Sequence, residues 1–502
     1  MARTAKGSNR IGLDEALDPF VLALDVGSTA SRGDVYDAAG RPVEGGRQKV
    51  EHAFSTGGDG SSEIDPDQVV DELRHVVGGL ATDALRGRIG GVALDTFASS
   101  LVGVDGDGRP VTPCYTYADS RCGPQVLALR EELDEARLQQ RTGTRLHSSY
   151  LAPRLRWLRE TDPDTFVAAR RWLSVGEYAY QRILGTTAAG TTTAAWTGLL
   201  DRRTGAWDEE MLGAAGIGAD QLSEVRDPDR PLTDVDPAVA REGPALEGAR
   251  WFAPIADGFA SNLGTDAADA TTAAVAAATS GAIRVLVTDI PDEIPPGLWC
   301  YRVDARRSLL GGALNDVGRM ISWLRATVAL GDADPHAILT APPDPTTPLV
   351  LPYLSGERST GWAASARAVV TGLSEATTGP ALFRGALEGV ALSYGRVADQ
   401  LHRTAAHPER VRVSGRVAQD LPGWLQVLAD ALGTPVEPVT IKRATLRGTA
   451  LHALEVLAPD TPRAPVATGE AVHPDDAHRD HYRDRAERYD RLYRAVIAPE
   501  RP

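Results

Sequence analysis

The sequence predicts an α/β protein built as two similar halves. Apolar strand-like runs alternate with helix-patterned stretches along the chain. Each half opens with an apolar segment that ends in a Gly/Ser/Thr turn, and 502 residues is length for two to four domains at roughly 100–200 residues each.

In order, residues 1–18 read as a flexible leader. Phe20 to Asp25 is a buried strand by its length and flanks, closed by Gly27-Ser28-Thr29; Ala30 to Tyr36 continues as a second strand, giving a hairpin. Val69, Val70, Leu73, Val76 and Val77 recur at helical spacing behind Asp65-Pro66, which predicts a helix over 67–79. Gly91 to Asp95 and Leu101 to Asp105 read as strands. Trp251 to Gly258 reads as a strand emptying into a loop, followed by a helix of small residues. The opening grammar then returns around Ala278-Thr279-Ser280-Gly281, and a second strand-and-helix series runs to Val411–Gly415. A domain boundary is expected near residue 255, within about ten residues either way, dividing 19–255 from 256–500. Residues 478–497 carry Tyr482, Tyr489, Leu492, Tyr493 and Val496 at helical spacing, a closing helix with a partner-binding helix as the alternative.

Composition narrows the function. With 53 Lys+Arg against 68 Asp+Glu the formal charge is −15, and no Lys/Arg-rich run exists to grip a nucleic-acid backbone. Three scattered cysteines make neither a disulfide framework nor a zinc site. The N-terminus lacks the apolar core of a signal peptide, and the Ala/Thr-rich stretch 267–283 would not hold in a bilayer. The expectation is a cytoplasmic protein with no membrane or nucleic-acid partner.

Asp25-Val-Gly-Ser-Thr29 sets a carboxylate at a strand end before a turn whose amides and hydroxyls can meet phosphate oxygens, with the carboxylate beside a hydrated metal. It is not a Walker A loop, and an ordinary β-turn is the alternative. Asp257 before Gly258 suits a general base taking a hydroxyl proton, or equally a helix cap. Asp119 and Arg121 could bind a polyol or pair with each other, and His147 is equally open.

Taken together the segments resemble the FGGY carbohydrate kinases over residues 20 to 457. LALDVGSTASRGDVYDAAGR looks like the family's first phosphate segment, LVGVDGDGRPVTPCYTYADSR its substrate-side hairpin, and SSYLAPRLRWLRETDP its Pro-Lys-Leu-Trp-type helix with Arg154 for Lys. AAWTGLLDRRTGAWDEEML, DGFASNLG, ATSGAIR and VSGRVAQDLPGWLQVLADALGTPV follow in the family's order, while LPYLSGERSTGW with TGLS looks most like the gluconokinase branch. The resemblance implies two ribonuclease-H-like (actin-like ATPase) domains around a central cleft, ATP, Mg²⁺ and phosphoryl transfer to a terminal hydroxyl of a small carbohydrate.

It further implies Asp257 as base and Asp25 on the metal side. Gly27, Ser28, Thr29, Thr279, Ser280 and Gly281 would cradle phosphates, Gly312, Gly415 and Arg416 would border the nucleotide, and Thr96, Ser99, Asp119, Arg121, His147 and Ser149 would face the sugar. Two departures stand out. Ala98-Ser99 replace a Trp-His pair, which removes an aromatic wall and an imidazole. Arg416 replaces a glycine in the adenosine segment, where it could clamp phosphate, stack on adenine or obstruct the site. A gluconate-like acid is the expected substrate, with a ketose or polyol of the xylulose, ribulose, glycerol or erythritol type as the alternative. A non-catalytic sugar- or nucleotide-binding regulator is the alternative of another class, and a homodimer stays open as the assembly.

Overall fold

The computed structural model describes residues 10–239, 243–404 and 406–497. The chain divides into two compact units. The first takes Met1–Gly264, Tyr301–Arg307 and Arg443–Pro465; the second takes Thr265–Cys300, Ser308–Lys442 and Val466–Pro502. The break falls at Gly264, inside the margin of about ten residues around 255, and two later segments return to the first unit. Asp257, which the sequence reading set at the head of the second half, belongs to the first.

The first unit is organised on β1 (Phe20–Val26), β2 (Ala30–Tyr36), β3 (Pro42–Glu51) and β4 (Ile89–Thr96), with the two-residue strands β5 (Arg250–Trp251) and β6 (Ile255–Ala256) both parallel to β4. The order is β3-β2-β1-β4-β5, antiparallel across the first three and parallel from β1 onward. Every residue of β1 is buried, as a strand covered on both faces requires. One face meets the helix Pro66–Leu80, capped by the Asp65 carboxylate and burying the valine and leucine stripe read from the sequence. The other face meets the helix Ala444–Leu457, whose Leu446, Ala450 and Leu454 pack with Val21, Ala23 and Ala93.

The second unit repeats the plan. Strands β7 (Thr272–Ala277), β8 (Gly281–Val287), β9 (Ser308–Leu314), β10 (Arg410–Ser414) and β11 (Val436–Pro438) run in the order β9-β8-β7-β10-β11, with the same antiparallel-then-parallel sense. The duplication expected from two Gly/Ser/Thr turns is therefore a duplication of whole sheets. The 23-residue helix Gly379–Leu401 crosses this core. The helix Arg479–Val496 closes the unit, burying Tyr482, Arg485, Tyr489 and Tyr493, while Val496 stays exposed. Glu357 of the SGERSTGW segment accepts hydrogen bonds from Tyr493 and Arg396, so that segment fastens the closing helix.

Two expectations change. Of the supposed flexible leader, residues 1–9 lie outside the described residues, but the rest is tied down. Arg10 pairs with Asp34, Ile11 bridges to Val43, and Arg88 donates to the carbonyls of Leu13 and Ala16. The strand expected over 101–105 forms as Val102–Val104 but pairs with Arg171–Leu173 in a separate small sheet.

Candidate active site

Three adjacent parallel strands end in carboxylates. The β1–β4 register sets Asp25 beside Asp95, and β6 runs beside the end of β4 with Ala256 opposite Thr96, so Asp257 follows directly. Carboxyl ends of strands in such sheets are where open α/β folds bind ligands. Asp95 is fully buried and accepts from Thr449 Oγ1 at 2.5 Å; its Oδ1 is buried without a fixed donor. Burial pushes the Asp95 carboxyl well above the usual range, and the charges of Asp25 and Asp257 add to it. Burial also raises Asp25, against the pull of Arg32 at 2.9 Å. In this dry setting each of the two carboxyls opposes ionisation of the other.

The turn after β1 is held by Gly27 N–H donating to the Ala30 carbonyl, and Arg32 ties it by bonding both Asp25 Oδ2 and Thr29 Oγ1. Ser28 and Thr29 remain exposed. Asp257, half-buried, is the first residue of the helix Asp257–Gly264. That helix lies against Ala444–Leu457 with backbones in near contact: a Cβ on Gly264 would fall 1.7 Å from the Ala444 carbonyl, and one on Gly448 equally close to the Ala260 carbonyl. The spacings Ala260-x₃-Gly264 and Ala444-x₃-Gly448 therefore fix where Asp257 stands.

Residues expected to face a sugar are partly committed elsewhere. Asp119 is fully buried, accepts from Ser62 N–H and binds Arg121, which also reaches Glu63 and lies over Trp157 at 4.5 Å. The pairing alternative therefore describes this duo. Ser99 takes a positive φ of 57° and spends its hydroxyl on the Trp196 carbonyl. Arg154 is fully buried and donates to the carbonyls of Ser99, Ser148 and Ser149, so it gathers these loops instead of offering a cation. Nδ1 of His147 accepts from the Ser149 N–H and lies 3.0 Å from its hydroxyl, which sets the Nε2–H tautomer. Thr96 is buried beside the carboxylates. Near Ser99, where the Trp-His pair is absent, Trp196 stacks on Tyr301 with centroids 3.7 Å apart, and Tyr301 shares a hydrogen bond with Tyr150.

In the second unit the turn Ala278–Ser280 joins β7 to β8, and its Ala278 and Thr279 carbonyls accept from the Gly318 and Arg319 amides at the start of the helix Gly318–Thr327. Gly415 stands at φ 107° with its α-carbon against the Ala277 backbone, a position no side chain would fit. Thr279, Ile321, Arg325, Arg416, Val417 and Leu421 line a cavity of about 360 Å³. The Arg416 side chain on the cavity's lining is 85% exposed and paired with Asp420. Ser280 and Gly281 complete the turn, with Gly281 packed under Tyr394. Gly312 lies inside β9 with its α-carbon close against Ser359 and Val397.

Sequence reasoning missed Asp95, Arg32 and Thr449. Asp95 ends an apolar run as Asp25 does, but only strand register reveals that the two are neighbours. Among the described residues no group of three or more His, Cys, Asp or Glu side chains is arranged to hold a metal ion. A metal here would be completed by water and phosphate oxygens, the usual habit of Mg²⁺. Asp25 beside exposed hydroxyls, with the orphaned Oδ1 of Asp95 at hand, fits that demand.

Residues 20–261 match the N-terminal domain, and residues 268–455 the C-terminal domain, of the FGGY family of carbohydrate kinases. A gluconokinase of Bacillus subtilis is 25% identical over 431 residues, covering 83% of each chain. The gluconate kinase structure from Lactobacillus acidophilus superposes with a TM-score of 0.88 at 24% identity, over 96% of this chain and 98% of that one. A xylulose kinase structure from the same organism gives the same TM-score and identity over 96% and 99%. Two sheets of one plan, each with a Gly/Ser/Thr turn and the first ending in paired carboxylates, are thus the two domains of a phosphotransferase, and the chain belongs to the FGGY family of carbohydrate kinases.

Proposed function

We propose that this kinase transfers the γ-phosphoryl group of ATP to the terminal hydroxyl of a gluconate-like sugar acid in the cytoplasm. The observation that carries the chemistry is the convergence of Asp25, Asp95 and Asp257 at adjoining strand ends. Asp257 accepts the hydroxyl proton as the oxygen attacks phosphorus. Ser28 and Thr29 with the Gly27 turn, and Thr279, Ser280 and Gly281 in the second unit, hold phosphate oxygens. Gly415 and Arg416 border the nucleoside. Asp25 would hold Mg²⁺ through its water shell, and the ion supplies charge neutralisation on the phosphates. Asp257→Asn should lower turnover by ~10²–10⁴-fold with nucleotide binding kept, as isothermal titration with ADP would report. Near-normal turnover would leave Asp257 a helix residue only.

The sugar-acid reading is supported by the gluconokinase relatives. A ketose or polyol is the second reading, favoured by the engagement of both candidate cations: Arg121 is bound by Asp119 and Glu63, and Arg154 faces carbonyls. Coupled ADP release with gluconate, xylulose, ribulose, glycerol and erythritol decides between them. A background gluconate rate beside a strong ketose or polyol rate selects the second.

A further inference from the structure

We propose that His52 is a positioning residue for the nucleotide: it clamps the first phosphate turn so that the Ser28 amide faces the phosphate. The inference rests on the reading of Gly27–Thr29 as a phosphate cradle.

His52 is the residue immediately after β3, and its side chain is fully buried. Both ring nitrogens meet acceptors. Nδ1 lies 2.8 Å from Glu72 Oε2, and Nε2 lies 2.8 Å from the Gly27 carbonyl oxygen. The backbone N–H of His52 donates to the Thr29 carbonyl at 3.1 Å, so one residue grips two carbonyls of the turn. Glu72 is anchored in its own right: Ser31 Oγ donates to the same Oε2 at 2.7 Å and Gln68 Nε2 to Oε1 at 2.9 Å. Glu72 stands on the helix Pro66–Leu80, so the clamp ties the turn to a rigid element. The ring plane is fixed as well, stacked on Phe54 at 6.2 Å, which in turn packs edge-on against Phe97.

The consequence follows from the planar trans peptide, in which a carbonyl and the next N–H point opposite ways. With the Gly27 carbonyl drawn to the imidazole, the Ser28 N–H is turned away from it. That N–H has no hydrogen-bond partner among the described residues, and Ser28 is exposed. Without the clamp the 27–28 peptide can rotate, and the amide loses its preset direction. A preset donor gains affinity because the ordering is done before the ligand arrives. His52 itself does not touch the reacting atoms.

Steady-state kinetics on the full chain test this, with ADP release measured while MgATP and the carbohydrate are varied in turn. His52→Ala should raise the KM for MgATP by about tenfold, the order of a lost hydrogen bond to a fixed group, with the carbohydrate KM within twofold of wild type. His52→Gln, which keeps one N–H donor, should recover most of that loss. Glu72→Gln preserves volume and should shift the MgATP KM in the same direction by a smaller factor. An unchanged MgATP KM in His52→Ala, or equal rises in both KM values without recovery in His52→Gln, overturns the proposal in favour of simple packing. Asp25→Ala and Thr29→Ala serve as references. If neither moves the MgATP KM, the phosphate-turn reading itself falls; if both do and His52→Ala does not, only the positioning role falls.

Discussion

Asp95 sits between a second carboxyl group and a threonine hydroxyl with no solvent to share its charge. Its carboxyl is raised well above the usual range by burial first and by its acidic neighbours next. A group whose pKa is raised by folding adds stability while it is protonated and loses that contribution as pH climbs through the folded value. Asp95→Asn should therefore unfold at higher urea than wild type, with the gap wider at pH 8.5 than at pH 5.5, on the order of 1 kcal/mol or more. Equal midpoints at both pH values would mean that folding does not raise the Asp95 carboxyl. Asp25 and Asp257 were legible because their partners are local: a strand, a turn, a glycine. Asp95 was not, because its significance lies in pairing with a strand some 70 residues away, which no local pattern encodes. Asp119 and Arg121 show the same limit, since spacing alone allowed both a polyol contact and a mutual ion pair.

The helix Ala444–Leu457 carries two features that amphipathic patterning cannot disclose: which sheet it covers, and how close it comes to its neighbour. Its His452 is fully buried between the rings of Phe252 and Phe259. Burial lowers this imidazole from 6.5 to about 4. For a histidine depressed by folding, the full stability is present above the unfolded value and is lost as pH falls toward the folded one. Between pH 6.5 and 4 the loss amounts to about 3 kcal/mol at most. His452→Leu should flatten that slope in urea titrations at pH 7 and pH 4.5; an identical slope would assign acid sensitivity elsewhere. By contrast the helix Pro66–Leu80 was readable almost to its ends, because Asp65-Pro66 and a regular valine stripe are both local signals. The two-residue strands β5 and β6 carry too few residues for any periodicity, so the parallel edge of the first sheet was read as one strand and a loop.

For the molecule as a whole, the division of the chain matters more than the division of its length. The first unit needs residues 443–465, whose helix covers the β1 and β4 face through Leu446, Ala450 and Leu454. A fragment ending at Gly264 should therefore bind a hydrophobic dye and aggregate, and addition of the 443–465 peptide should reduce both signals. A monomeric, cooperatively melting 1–264 fragment would show the helix to be dispensable. The same threading has a consequence for synthesis. After Gly264 leaves the ribosome, about 200 further residues must be made before the covering segment is complete, a wait of roughly 10–40 s at ordinary elongation rates. Throughout it the apolar face of a nearly finished sheet is open to chaperones and to other nascent chains, so yield in the cell will depend on translation speed and holdase supply as much as on the stability of the finished enzyme.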